Sequence, residues 1–170
     1  MKKFCGLLII AFIVITATIG CNKFEPNPII RSWSNTIATY PMGDTVLSGY
    51  FMAIDTIFFI SLNDVDCYID SVSVEFYNGT SHISGYDIIG FDFSRLAIHG
   101  GVDSLNVPTD TTMLYNANFI VTDLVNNYMS SHTSIPSVRA QFYFYGTNFG
   151  GNKSFIHDGF AMGLINPFYN

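Results

Sequence analysis

The chain has 170 residues and is acidic, with thirteen Asp and Glu against seven Lys and Arg and a net charge of −6. So few basic residues exclude a phosphate-binding stripe, and with it nucleic acid as a partner. They equally exclude a basic patch that would adhere to anionic lipid, while the length suits one domain burying roughly 70% of its unfolded surface.

The first element is a leader. Met1-Lys2-Lys3 is positive, and residues 4–19 carry no charge. That apolar run is shorter than the ~20 residues that comfortably span a bilayer, and a small residue follows it. Positive start, apolar middle and small residue together predict a secretory signal helix over 1–20. Its removal takes two of the seven basic residues and no acidic one, so the mature chain carries five against thirteen, a net −8.

Thr18-Ile19-Gly20-Cys21 resembles the lipobox of bacterial lipoproteins, in which a peptidase cuts just before the cysteine. The resemblance covers residues 1–21. It implies cleavage between Gly20 and Cys21, a diacylglycerol thioether on Cys21 and acylation of the new amino group. Gly20 fits the family's need for a small residue, whereas Thr18 departs from its preferred Leu, Val or Ile. Physical chemistry agrees with lipid: a bare thiol there would be reactive, and two or three acyl chains hold a domain stably where one binds marginally. Asn22 is not the aspartate that retains many lipoproteins at the inner membrane, which implies an outer-membrane address.

Residues 21–31 are expected to be a tether, since 22–28 combine two prolines with polar neighbours. The domain is then 32–170. Its pattern is period two, with strands expected at 45–53, 56–62, 68–76, 88–93, 118–125, 138–145 and 154–157. In 68–76, Val72, Val74 and Phe76 share one face and Ser71, Ser73 and Glu75 the other. Asp70 falls on the apolar side and is read as an entry turn. Asn78-Gly79 predicts a type I′ hairpin turn, and a helical turn is expected only within 122–130. Gly100-Gly101, Pro108, Asn126-Asn127 and Gly150-Gly151 punctuate the strands.

Short strands at this spacing predict an all-β fold, a single antiparallel β-sandwich behind the signal helix and tether. The segments "IDSVSVEFYNGT" and "VRAQFYFYGTNFGGNKS" are similar to immunoglobulin-like domains of exported bacterial proteins. That resemblance implies an immunoglobulin-like or jelly-roll type and carries no functional residue. The Cys-Trp-Cys core of antibody domains is absent. A membrane barrel would want longer strands and a terminal aromatic, whereas this chain ends Phe168-Tyr169-Asn170.

The sequence offers no catalytic constellation. Cys67, single within the domain, reads as a small apolar core residue. Asp64, Asp66 and Asp70 alternate as in a calcium loop but lack its glycine and closing glutamate, so a solvated acidic turn is the better account. His82, His99, His132 and His157 are dispersed without zinc spacing. Neither a Gly-x-Ser-x-Gly elbow nor a phosphate-binding loop occurs. No cofactor and no metal are expected.

Tyr143 and Tyr145 lie on the strand face opposite Phe142 and Phe144, placed to stack on sugar rings or to anchor a protein. Asn148 and Asn152, beside Lys153, supply a polar rim. Asp followed by Ser or Thr recurs five times, similar to the O-glycosylation acceptor motif of some Gram-negative bacteria. The implied acceptors are Thr45, Thr56, Ser71, Ser104 and Thr111. The same dipeptides also suit turn-to-strand junctions for conformational reasons, and both readings stand. The expectation is a lipid-anchored, extracytoplasmic, non-catalytic module of the cell envelope that binds glycan or protein. The alternatives are a structural accessory docking through an edge strand and a hydrolase with an unrecognised site.

Overall fold

The computed structural model describes residues 26–34, 37–41 (backbone only), 49–105, 107–151 and 153–170. The signal segment, Gly20, Cys21, Thr45 and Asn152 lie outside the described residues. The fold is an all-β sandwich of two antiparallel sheets. Its strands are β1 (Ile30–Ser34), β2 (Ile37–Pro41), β3 (Tyr50–Ser61), β4 (Cys67–Asn78), β5 (Ser81–His82), β6 (Ile88–Ile98), β7 (Thr112–Ile120), β8 (Ser137–Asn148) and β9 (Ser154–Ile165). In one sheet β3 is central, with β1 and β2 on one edge and β7 on the other. In the second, β5 and β6 share one edge of β4, β8 takes the opposite edge, and β9 follows β8.

Aromatic rings join the two layers. Phe59 of β3 meets Phe144 of β8 edge-on at 4.9 Å, and Phe119 of β7 meets Phe142 at 5.8 Å. Met52, Ile54 and Ile57 face Ile69, Val72, Val74 and Phe76 across a fully buried core. A π-type helical turn, Leu124–Met129, buries Leu124, Val125 and Met129 and so plugs one end. Beyond it, the buried amide of Asn166 donates to the carbonyls of Met129, His132 and Ile135 at 2.9–3.2 Å. That one side chain ties the C-terminus to the helical turn, and its own buried amide is satisfied by these carbonyls.

Four expectations are corrected. Residues 50–53 and 56–61 of two expected strands belong to one strand, β3, because Asp55 is an irregularity within it rather than a turn. Asp70 is likewise no entry turn. β4 begins at Cys67, and both its neighbours skip register between Ile69 and Ser71. Asp70 is the extra residue of a β-bulge, which lets Ile69 and Val72 both face inward. The Asn78–Gly79 turn has Gly79 and Thr80 as its central pair, and only Gly79 takes positive φ (+60°). That is the II′ pattern. Finally, β9 runs on through Asp158-Gly159 to Ile165. Ordered structure also starts before Ser32: Ile29 N–H donates to Asn63 at 2.9 Å, and Ile30 is buried opposite Ser61.

At one corner of the sandwich, Ser32 Oγ and His157 Nε2 lie 2.9 Å apart, linking β1 to β9. Burial lowers the His157 pKa from its ordinary 6.5, and the Asp158 carboxylate opposes that shift. The folded state therefore resists protonation, and below about pH 6.5 the unfolded chain binds more protons. His157 thus contributes full stability above that pH and loses it as pH falls towards the folded value. In His157→Gln, the fall in urea midpoint between about pH 7.5 and about pH 5 should shrink. An undiminished fall would assign the acid sensitivity elsewhere.

Candidate functional site

The period-two pattern of β8 turns Val138, Ala140, Phe142 and Phe144 into the core and Arg139, Gln141, Tyr143, Tyr145 and Thr147 outward. Register then decides their company. Tyr143 pairs with Ser73 and Asp158, Tyr145 with Ser71 and Ile156, and Arg139 with Tyr77. Since cross-strand partners share a face, the outer surface of β4, β8 and β9 gathers four tyrosines: Tyr68, Tyr77, Tyr143 and Tyr145. Each is part-exposed.

Two guanidinium groups dress this face. Arg95 sits 3.8 Å from the centroid of the Tyr68 ring, and Arg139 4.7 Å from that of Tyr77. Such cation–π contacts hold a flexible arginine in one place. Arg95 also approaches Asp70 at 3.3 Å and donates to Thr147 at 3.1 Å. The exposed ion pair adds little stability, but it positions the bulge carboxylate beside Tyr145. At the other end Tyr77 donates to Glu75 at 2.5 Å. That bond, more than any other cause, holds the Tyr77 phenol well above its ordinary value. Burial is first in raising Tyr143. Both phenols are therefore neutral donors at physiological pH.

Between Asp70, Tyr145, Thr147 and Ile156 the surface dips into an open groove of about 500 Å³. The backbone of Gly146 forms its floor, and on the inward side the Tyr68 carbonyl and the Phe155 ring occupy the place of a side chain. An aromatic wall, an exposed isoleucine (64% exposed) and polar groups along one rim can take an amphipathic ring, with apolar contact on one side and hydrogen bonds on the other.

The predicted site residues separate. Tyr143 and Tyr145 come together as neighbours on the open face. Asn148 does not join them: it is 3% exposed, turned inward, and its Oδ1 accepts from Lys153 N–H at 3.2 Å. It stays in phase with Phe142 and Phe144, so it secures the β8–β9 connection instead of forming a rim. Alternation along β8 already puts Arg139 on the face of Tyr143 and Tyr145; sequence reasoning missed Tyr68, Tyr77 and Arg95, whose approach to the tyrosine pair depends on strand pairing.

Of the implied acceptor hydroxyls, Thr56 is 5% exposed and bonded to Asp55 at 3.2 Å, and Ser71 is half-buried within β4. Ser104 and Thr111 are exposed. The three clustered aspartates also part. Asp64 takes φ +55° in the β3–β4 turn, Asp66 accepts from Gly100 N–H at 2.7 Å, and Asp70 occupies the bulge. Cys67 is fully buried, and burial, then the Asp66 charge, pushes its thiol up to about 12. It is unreactive as a thiolate.

No protein-family model matches the chain, and no curated protein matches it. Among solved structures, the chain resembles a Bordetella pertussis protein provisionally called ApaA, with a TM-score of 0.46 and 12% identity over 83% of this chain and 94% of that one. It also resembles a structural-genomics target designated SoR45, with a TM-score of 0.36 and 12% identity over 83% and 86%. At this distance the likenesses do not extend to function.

Proposed function

We propose that the protein is a lipid-anchored, extracytoplasmic β-sandwich lipoprotein that binds a glycan or an envelope protein and carries out no chemistry. The lipobox-like Thr18–Cys21 stretch supports the anchor. The outward pair Tyr143 and Tyr145, set beside a groove and flanked by arginine-braced Tyr68 and Tyr77, carries the binding reading. The ligand class follows from the surface: planar apolar walls with neutral hydroxyl donors suit a sugar ring or an amphipathic side chain.

The accessory reading needs a free sheet edge. β9 lies against β1 and β2 on one side of the sandwich, and β6 lies against β7 on the other. The open face is therefore the surface we assign. Among the described acceptor residues the motif narrows to Ser104 and Thr111, whose exposure suits modification after folding.

The test compares the protein with Tyr143→Ala and Tyr145→Ala variants on a glycan panel and on envelope extracts. Saturable binding should weaken at least about tenfold in each variant, the loss of roughly 1.4 kcal/mol expected of an aromatic anchor. Both should keep the parent's melting temperature. Binding that survives both substitutions would remove this face from consideration. Mass spectrometry of the membrane-extracted N-terminus tests the anchor, and an unacylated Cys21 would refute it.

A further inference from the structure

The two poles of the sandwich differ. At one, the chain enters at Pro26, and the connections 62–66, 99–111 and 149–153 meet, because Ile30 pairs with Ser61 and Cys67 pairs with both Ile98 and Asn148. At the other lie the 79–80 turn, the helical turn and the C-terminus. Among the described residues, large apolar side chains are exposed at the entry pole: Leu105 is 79% exposed and Val107 52%, and Ile29, Leu62 and Phe149, the last stacked on Tyr68, are exposed at the same pole.

Leu105 and Val107 are presented on a stiff support. Val102 bridges Pro108, Thr109 N–H donates to Gly101, and Asp103 N–H donates to Val107. Asp103 Oδ1 accepts from the N–H groups of Leu105 and Val107 at 2.8 and 2.9 Å. The amides of Asp103, Leu105 and Val107 are thus engaged internally, as suits a backbone that approaches a low-dielectric layer. Little ordering entropy remains to be lost on contact.

The entering chain is fixed to the same pole. Asn63 accepts from Ile29 N–H and donates to the Asn27 carbonyl at 2.8 Å. Four residues separate Pro26 from Cys21, so even full extension places their Cα atoms no more than about 18 Å apart.

We propose that the entry pole is a membrane-apposed face, with Leu105 and Val107 dipping into the headgroup–acyl boundary and Ile29, Leu62 and Phe149 flanking them. The inference rests on the lipid anchor at Cys21 proposed above. The anchor supplies the local concentration, and the apolar tip fixes the orientation. Asp103 and Asp110 in the loop, and Asp64 and Asp66 at the same pole, repel anionic headgroups, so the surface it fits is zwitterionic lipid. β8 then rises away from the bilayer. Tyr143, five residues along it from Asn148, stands about 17 Å above the near end of that strand, with the tyrosine face looking sideways.

The test uses the full chain with its lipid, reconstituted in phosphatidylcholine vesicles. An environment-sensitive fluorophore is attached at Leu105→Cys or, in a parallel sample, at Thr80→Cys in the exposed turn of the opposite pole. Buried Cys67 does not compete for the label. The label at 105 should shift to the blue and be quenched by nitroxide-bearing lipid several-fold more strongly than the label at 80. Protein that floats with the vesicles while both labels stay equally aqueous overturns the orientation and leaves the anchor intact. Protein that fails to float overturns both.

Discussion

Replacing Phe144 with alanine removes about 3–5 kcal/mol of folding stability. The ring is fully buried and touches both layers. It meets Phe59 edge-on at 4.9 Å across the sandwich and lies near Phe142, Phe160 and His157 on its own sheet, with centroids 6.0–6.4 Å apart. Strand backbones paired on both sides cannot collapse into the space, so the cost includes a cavity as well as lost transfer energy. Against a total of about 5–15 kcal/mol for a domain, that leaves little. Phe144→Leu, which refills most of the volume, should lose clearly less. Urea titration of the three proteins measures the series, and an alanine variant within about 1 kcal/mol of the parent would show that the layers close over the gap.

Gly146→Ala should cost about 3 kcal/mol, the upper end of overpacking effects. A Cβ at this position would stand 2.0 Å from the Tyr68 carbonyl oxygen and 2.7 Å from the Phe155 ring. The carbonyl belongs to the adjacent strand, so the β4–β8 ladder itself must shift. Gly163 in β9 is the matched control. Its new Cβ would find Ser137 Oγ 4.0 Å away and nothing nearer. Gly163→Ala should be neutral or stabilising by up to about 1 kcal/mol, since glycine within a strand carries an entropic penalty. Thermal melts of both variants decide the matter. Equal losses would mean that glycine is needed for backbone freedom and not for room. Because Gly146 floors the groove beside Tyr145, its substitution should also weaken ligand binding, whereas Gly163→Ala should not.

The parts of the fold that were legible from residues alone are those governed by local alternation. β8 reads cleanly because every second side chain from Val138 to Phe144 is apolar, and burial follows that pattern to Asn148. The helical turn falls within the expected 122–130, whereas the strand expected over 118–125 lies earlier, in β7, which ends at Ile120. Misreadings came where one polar residue can serve two purposes. Asp55 and Asp158-Gly159 have turn chemistry, yet pairing on both sides of β3, and of β8 with β9, carries the strands through them. Asp70 looked misplaced because a bulge shifts phase without leaving a local mark. The site was half legible for the same reason. Tyr143, Tyr145 and Arg139 declare their face by spacing, while Tyr68, Tyr77 and Arg95 reach it through the pairing of β4 with β8 and β6. Asn166, which secures the C-terminus through three carbonyls, sits in no periodic segment and gave no signal.

The irregularity at Asp55 has a counterpart directly across the ladder. On β3, Met52 and Ile54 face inward above it, and Ile57 and Phe59 below. On β7, Ala117 and Phe119 face inward on one side of Asn116 and Leu114 on the other, with Asn116 at φ +54°. Each strand carries one residue more than simple alternation requires, and at the same level, so the pairs on either side keep a single common register. The two surplus residues are therefore interdependent. Deleting either alone would restore alternation in its own strand while throwing half of the shared ladder out of step. Deleting both would leave the β3–β7 pairing and its inward faces intact. Asp55 and Asn116 behave as one compensated insertion, and the β3–β7 ladder can gain or lose length there only in pairs.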